Sequence, residues 1–327
     1  GETRSDDHTV RLGYTALTAT MTADNWLISD EAIEIKINTT TLDGEGRPAK
    51  GVVMIYSLKQ PERVDRGDLQ PEYEPWNPGI GASSEDEKAV NPSDPNSWPI
   101  DEEIASESFE SNGAGKATVN VTLKAGIYRA KLETRDAFGN EVTALLPMQV
   151  LDPKAKKLNI KLADLFVIKK PTIEPGETLE AIWGSGYDTA RAYVEVEHRG
   201  KLLQSFWTEP NQTQVALRQD VTESMRGGFH VRVTMVRENR VHSHSQFIDV
   251  PWTNKNLSIK WERFTSKLTP GQKETWTAIV SGPDAERAAA EMVATLYDAS
   301  LDAFVDHSWL ASFNNVFRRD QAWTHYQ

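Results

Sequence analysis

Apolar and polar residues alternate with a period of two in five stretches of the chain, which are bounded by glycine, proline, asparagine or aspartate. Since successive side chains of a strand point to opposite faces, this alternation predicts strands with one buried and one solvated face. Such strands form antiparallel sheets that stack in pairs, so we predict an all-β fold of antiparallel β-sandwiches. The stretches are EAIEIKINTT (31–40), KATVNVTL (116–123), GIYRAKLETR (126–135), ARAYVEVEH (190–198) and GFHVRVTMV (228–236).

A strand–turn–strand arrangement occurs three times along the sequence. LNIKLADLFVIKKPTIEPGETLEAIW begins at Leu158 and LSIKWERFTSKLTPGQKETWTAIV begins at Leu257, and their Pro-Gly turns are 95 residues apart. In the first part of the chain, ALTATMTADNWLISDEAIEIKI has the same shape, with Ser29-Asp30 in place of Pro-Gly. Three copies of one β-sandwich of about 100 residues account for this spacing.

A long hairpin follows in each of the first two copies. AGIYRAKLETRDAFGNEVTALLPMQV in the first matches GGFHVRVTMVRENRVHSHSQFIDV in the second. Tyr128 follows Gly126 closely and resembles a tyrosine corner, in which the hydroxyl group fixes a loop. The alignment places His230 at the corresponding position of the second copy, so we assign both residues to packing.

These repeats divide the chain into three predicted units. The first, 1–153, carries an acidic, proline-rich insertion at about 61–105. The second, 154–252, follows the hinge-like linker LDPKAKK (151–157). The third, 253–327, is too short for the seven strands of a sandwich, so we expect the N-terminal part of an incomplete one.

Acidic residues are concentrated in the insertion. The chain has a formal net charge of −12, and 61–105 holds twelve acidic residues, three basic residues and seven prolines, a local net charge of −9. This balance argues against nucleic acid as a partner, because backbone phosphates require a basic surface. A solvated loop is the simplest interpretation of the insertion, and calcium binding or a surface for a neighbouring domain or basic partner are the alternatives.

Cysteine is absent, which excludes a disulfide framework, a thiolate metal site, a cysteine nucleophile and an internal thioester within this sequence. No apolar run approaches the roughly 20 residues that cross a bilayer. The triplet Asp306-His307-Ser308 contains the residue types of a catalytic triad, but neighbours on a strand point to opposite faces and do not converge. No convincing pair of carboxylates indicates a glycosidase. We therefore predict no enzyme activity and no cofactor.

Two histidines, His242 and His244, would share one face of a strand, as metal ligands do. If RENR (237–240) forms the hairpin turn, their neighbours across the hairpin are Met235 and Val233. Apolar neighbours suit a zinc site poorly, so we predict surface or groove histidines and no metal.

The segment LTPGQKETWTAIVSGPDAERAAAEMVATLYDASLDAFVDHSW (268–309) resembles the segment that precedes the bait region in bacterial alpha-2-macroglobulin-like proteins. Several elements at fixed spacing carry this resemblance. The remaining residues match the family only in kind, as tandem immunoglobulin/fibronectin-like β-sandwiches of the macroglobulin type. The signature residues are Pro270, Gly271, Glu274, Trp276, Glu291, Tyr297, Asp298, Ser300, Leu301, Asp302, Phe304, His307 and Trp309.

The resemblance changes one secondary-structure prediction. Helix propensity alone favours a helix from Pro283 to Ala299. In the family the matching stretch is a strand, followed by a short turn that Ser300 would cap, and we follow the resemblance.

The resemblance also implies a mechanical function. In the family, sandwiches support a protease-sensitive bait segment, its cleavage lets the scaffold close around the protease, and many members use a thioester to trap it. This chain would be a non-catalytic scaffold section of a broad-spectrum protease inhibitor in the periplasm or at the cell surface. Its partners would be proteases, through the full-length parent, and neighbouring domains. A cell-surface adhesion or ligand-binding array of fibronectin-like sandwiches is the alternative, because fold alone does not separate the two.

Overall fold

The alternating stretches form strands of two stacked β-sandwiches, followed by a separate strand pair. A computed structural model describes residues 15–67, 91–283 and Asp302. The five stretches identified by alternation are strands within one or two residues of their expected bounds, and the all-β prediction is confirmed. In the described part of the chain the helical segments are three short 3-10 turns, Pro95–Ser97, Glu223–Met225 and Thr253–Lys255.

The first sandwich contains a three-stranded and a five-stranded sheet. The sheets have the orders β1-β3-β6 and β2-β8-β7-β4-β5, and every pairing is antiparallel except the short contact of β2 with β8. Ile35 from one sheet and Ile55 and Leu132 from the other are fully buried between them, so the apolar face of each strand forms the core. The strands are β1 Thr18–Thr22, β2 Leu27–Ile28, β3 Ala32–Thr40, β4 Lys50–Leu58, β5 Ile100–Glu110, β6 Lys116–Thr122, β7 Gly126–Arg135 and β8 Glu141–Leu151.

The second sandwich repeats this topology. Its sheets have the orders β13-β10-β9 and β12-β11-β14-β15, and Trp183, Phe229 and Met235 are buried between them. A parallel bridge between Thr172 and Asp249 takes the place of the β2–β8 contact. The strands are β9 Leu165–Ile168, β10 Thr178–Gly184, β11 Ala192–His198, β12 Lys201–Trp207, β13 Gln214–Asp220, β14 Phe229–Arg237 and β15 Arg240–Ile248.

Two further strands, β16 (Ser258–Arg263) and β17 (Thr277–Ser281), pair antiparallel after the second sandwich. They correspond in order to the first strands of each preceding sandwich. Most apolar side chains along them are exposed, including Ile259 and Trp261. Of the stretch for which helix and strand were weighed, Pro283 to Ala299, all residues after Pro283 lie outside the described residues.

The three strand–turn–strand copies share one backbone feature. Asp30, Gly176 and Gly271 all have left-handed conformations, with φ of 61°, 92° and 79°. In the first two copies the backbone N–H of this residue donates to an equivalent carbonyl, from Asp30 to Leu123 at 3.0 Å and from Gly176 to Val221 at 2.8 Å. Asp30 therefore takes the role of a turn glycine, since aspartate is one of the few residues that tolerate this conformation.

Two sequence expectations are corrected. Residues 100–105, assigned to the insertion, belong to β5 and pair with β4. Residues 100–104 of this edge strand are exposed on both faces, so this part of the sequence carries no alternation to reveal it. Phe229, and not His230, lies opposite Ile248 and fills the core as Tyr128 does opposite Met148. The sequence alignment of the two hairpins was therefore shifted by one residue at this position.

Candidate functional site

The first and second sandwiches meet through a buried apolar group, here called the junction cluster. Its members come from both sandwiches, from the linker between them and from the segment before β5. Burial of apolar surface stabilises a contact by about 25 cal/mol per Å². Because separating the two sandwiches would expose this surface, the junction cluster favours one relative orientation of the sandwiches. The junction cluster consists of Ile28, Leu58, Trp98, Ile127, Leu151, Leu158, Ile160, Leu165 and Ile182.

Trp98 is the largest side chain of the junction cluster, and 1% of its surface is exposed. Its indole N–H donates to the carbonyl of Pro92 at 3.0 Å, which satisfies the only polar atom of the ring. The guanidinium of Arg129 on β7 donates to the carbonyls of Asn96, at 2.6 Å, and of Trp98, at 3.2 Å. The C-terminal end of the acidic insertion is thus an ordered part of the junction.

The N-terminal end of the insertion crosses to the second sandwich. The Gln60 side chain accepts a hydrogen bond from the backbone N–H of Lys161 at 2.8 Å. Val64 packs against the core of the second sandwich. Arg66 donates to the carbonyl of Glu238 at 3.1 Å, so both described ends of the insertion contact the junction or the second sandwich.

The linker predicted to be a hinge is held by two polar side chains of the second sandwich. Gln214, which is 2% exposed, donates to the carbonyls of Asp152 at 2.6 Å and Ala155 at 3.2 Å. The hydroxyl of Thr213 accepts from the backbone N–H of Leu158 at 3.3 Å. Because the buried linker carbonyls have these partners, bending here would break hydrogen bonds as well as apolar contacts.

A second polar network fixes the exit from the second sandwich. Arg226, with 6% of its side chain exposed, lies 2.7 Å from Glu223 and 3.2 Å from Glu174. It also donates to the carbonyl of Pro251 and, at 3.0 Å, to the hydroxyl of Thr253. The hydrogen bond with Glu223 raises the pKa of Arg226 and lowers that of Glu223. The arginine joins the base of the sandwich to the segment leading to β16.

Tyr128 forms the predicted corner. Its hydroxyl donates to the carbonyl of Lys124, four residues upstream, at 3.0 Å. Burial raises the pKa of this hydroxyl, so it stays protonated and remains a donor. The residue has a packing function, as the sequence indicated.

The predicted register of the hairpin that carries His242 and His244 is confirmed. The hairpin turn has left-handed Glu238 and Asn239, the backbone of a type I′ turn, and His242 and His244 lie opposite Met235 and Val233.

His244 forms a hydrogen bond with Asp164, whose carboxylate also accepts from the indole of Trp183 at 2.7 Å. The His244 ring packs on Phe166, with centroids 5.6 Å apart. His244 therefore ties β15 to the segment before β9. In the described residues, no group of three or more His, Cys, Asp or Glu side chains could hold a metal ion.

Five residues of the sequence signature lie in the described part of the chain. Pro270 and Gly271 form the turn before β17, as the repeat predicted. Glu274 lies 2.8 Å from Arg263, and a hydrogen bond from the backbone N–H of Thr275 lowers its pKa.

Trp276 packs against Phe264, with ring centroids 5.7 Å apart. Asp302 is described alone and is exposed. The other signature residues, and the triplet Asp306-His307-Ser308, lie outside the described residues. The signature residues outside the described part are Glu291, Tyr297, Asp298, Ser300, Leu301, Phe304, His307 and Trp309.

A family model described as the alpha-2-macroglobulin bait region domain matches residues 164–300. The resemblance to the alpha-2-macroglobulin family is confirmed. The match begins at Asp164, immediately before β9, and therefore covers most of the second sandwich as well as the signature segment. Sequence reasoning found the family only from residue 268 onwards, because the second sandwich has no comparable string of fixed elements. No curated protein matches the chain.

Three solved structures are similar to this chain. The chain is 12% identical to Salmonella alpha-2-macroglobulin reacted with methylamine, with 84% of this chain and 17% of that chain covered and a TM-score of 0.28. It is 12% identical to native Escherichia coli alpha-2-macroglobulin, with 79% and 15% covered and a TM-score of 0.25. For the trypsin-activated E. coli protein the identity is 9%, the coverage 82% and 19%, and the TM-score 0.27. The chain spans less than a fifth of the length of these structures.

The described residues include no helix with the length and hydropathy of a membrane span.

Proposed function

We propose that this chain is a non-catalytic scaffold section of an alpha-2-macroglobulin-like, broad-spectrum protease inhibitor. The match of residues 164–300 to the bait region domain is the observation that carries the proposal. The units would be residues 1–153 and 154–252, each a complete macroglobulin-type sandwich, and 253–327, the beginning of a third. The parent protein would act in the periplasm or at the cell surface, with proteases and its own neighbouring domains as partners.

The junction cluster supports a mechanical role. A scaffold that responds to bait cleavage has to transmit displacement between its domains, which requires bodies that move as units. Buried Trp98, the hydrogen-bonded linker and the Gln60 contact join the first two sandwiches through three separate regions of the chain. We infer that these sandwiches move together and that relative motion is confined to other junctions of the parent.

The Arg226 network supports the next step of the same proposal. It binds Pro251 and Thr253, the residues at which the chain leaves the second sandwich towards the bait-related segment. A displacement of β16 and β17 would therefore be transmitted to the buried guanidinium of Arg226 at the base of the second sandwich. This contact would couple the third unit to the rigid pair.

The proposal is tested by incubating the full-length parent with serine, cysteine and metallo-proteases of unrelated specificity. We expect one protease-sensitive region to be cut by all of them. We also expect hydrolysis of a large protein substrate to fall while hydrolysis of a small peptide substrate continues, because a trapped protease keeps a working active site. Full hydrolysis of the large substrate by every protease would overturn the proposal.

A further inference from the structure

Asn112 is the only asparagine of the chain that is followed by glycine. The pair lies in the turn between β5 and β6, and both residues are exposed. The peptide nitrogen after an asparagine can attack the side-chain carbon Cγ, because the new bond closes a five-membered ring. Glycine has no Cβ to obstruct this approach, and a Cβ built at Gly113 would meet no atom within 4 Å. The turn therefore carries the residue pair in which this attack is least hindered.

The turn fixes both the backbone and the side chain of Asn112. Its backbone N–H donates to the carbonyl of Lys116 at 2.9 Å, and its own carbonyl accepts from the N–H of Gly115 at 2.8 Å. The side-chain oxygen Oδ1 accepts from the backbone N–H groups of Ala114, at 2.9 Å, and of Lys116, at 3.0 Å. Two donors thus polarise the side-chain carbonyl and hold it in place.

The same two donors form an oxyanion hole for attack on Cγ of Asn112. When the nitrogen of Gly113 bonds to Cγ, negative charge develops on Oδ1. This oxygen already lies at the distance from two N–H groups that stabilises an oxyanion. Within the described part of the chain, the N–H of Gly113 has no hydrogen-bond acceptor, so its proton can be removed without breaking a hydrogen bond.

Other exposed asparagines lack this arrangement. The N–H that follows Asn96 donates to a backbone carbonyl at 3.0 Å, and the N–H that follows Asn211 donates to another at 3.2 Å. In both places the nitrogen that would attack is engaged, and the next residue has a side chain. The features that favour attack coincide at Asn112.

We propose that Asn112 is a modification site at which the folded turn promotes deamidation. Hydroxide removes the proton of the Gly113 nitrogen, this nitrogen bonds to Cγ, and the side-chain amide leaves as ammonia after taking a proton from water. Water then opens the succinimide ring. Attack at Cγ gives aspartate, and attack at the former backbone carbonyl gives isoaspartate, in which the main chain runs through Cγ. One water is consumed and one ammonia is released, with no oxidation or reduction.

The two products differ in their effect on the first sandwich. Aspartate leaves the main chain unchanged and can accept the same two hydrogen bonds. Isoaspartate lengthens the main chain by one methylene group in a turn that packs tightly on β3. Gly115 has a φ of 73°, its carbonyl accepts from the N–H of Thr39 at 2.8 Å, and a Cβ on it would lie 1.9 Å from the Thr39 carbonyl oxygen. Isoaspartate should therefore lower the melting temperature, and aspartate should not.

The test compares two exposed Asn-Gly pairs within one protein. The substitution D43N creates a second pair with Gly44, whose N–H donates to the carbonyl of Thr41 at 3.0 Å. In the described residues, the side chain at position 43 accepts no hydrogen bond, so this turn has no oxyanion hole. Full-length D43N is incubated at mildly alkaline pH, either folded or in urea, and peptide mapping by mass spectrometry follows both sites. In the folded protein Asn112 should react about tenfold or more faster than position 43, because two donors stabilise its oxyanion. In urea the two rates should become similar.

The double variant D43N/G113A provides the second arm. The methyl group at position 113 should slow the reaction at Asn112 and leave the rate at position 43 unchanged. Enzymatic methylation of isoaspartate measures that product, and the melting temperature of aged protein should fall as its isoaspartate content rises. A rate at Asn112 no faster than that at position 43 in folded D43N would overturn the proposal. A ratio of the two rates that urea leaves unchanged, or an unchanged rate at Asn112 in D43N/G113A, would overturn it as well.

Discussion

Arg226 and Glu174 lie 3.2 Å apart although 52 residues separate them, and Thr253 donates to the same carboxylate oxygen at 2.9 Å. The three residues come from the loop before β14, the turn before β10 and the segment that leaves the second sandwich. One nearly buried cation thus holds together the base of this sandwich and its exit.

Replacement of Arg226 by methionine should destabilise the second sandwich. The substitution leaves the carbonyl of Pro251 without its donor and removes the ion pairs with Glu174 and Glu223, so we expect a loss of about 1–3 kcal/mol in the free energy of unfolding. Urea denaturation followed by tryptophan fluorescence measures it. The control is R218M, because Arg218 pairs with Glu180 at an exposed position (73% of the Arg218 side chain) and should change stability by less than about 1 kcal/mol. Equal losses in the two variants would contradict the role of Arg226.

Replacement of Trp98 by alanine should loosen the junction between the sandwiches. Removing a side chain that is 1% exposed leaves a cavity, and the expected cost is about 3–5 kcal/mol. We also expect the single unfolding transition of the rigid pair to separate into two, which calorimetry detects. W207A is the matched control, since Trp207 is 54% exposed on β12. A single transition in W98A would show that the junction does not depend on this side chain.

Asp136 should make the first sandwich sensitive to acid. Hydrogen bonds from the backbone N–H of Ala16 and from Asn140 lower its pKa from 3.8 to about 2. Because the pKa is lower in the folded state, the contribution to stability is present above about pH 4 and is lost as the pH falls towards 2. Denaturation curves between pH 5 and pH 2 should therefore decline less steeply for D136N. The variant D43N, at an exposed turn, should keep the original slope, and identical slopes for all three proteins would refute the assignment.

The left-handed turn residues should resist substitution for conformational reasons. A Cβ at Gly176 meets no atom within 4 Å, but its φ is 92°, so G176A should cost about 1–2 kcal/mol through backbone strain alone. A Cβ at Gly113 is equally free and the backbone there is not left-handed, so G113A should be neutral or slightly stabilising. Thermal denaturation of the two variants separates strain from crowding. Equal melting temperatures would contradict the turn assignment.

Alternation located five strands that have one buried face, and it gave no signal where a strand is exposed on both faces. Strand β7 was predicted with its observed bounds, because Ala130 and Leu132 alternate with solvated residues. Residues 100–105 of strand β5 were assigned to a loop, since 100–104 are exposed on both faces and have no periodic signal. The left-handed turn at Asp30 was located by the repeat, because the same local backbone is required wherever the same topology recurs.

The sequence by itself determined the sandwich fold, the bounds of the alternating strands and the register of the β14–β15 hairpin, because these depend on local alternation and turn chemistry. Tertiary structure alone decided that Trp98 fills the junction and that Arg226 anchors the exit. These properties depend on which distant segments meet. The free energy of such contacts comes from surfaces and polar groups that are far apart along the chain, and no local pattern records it.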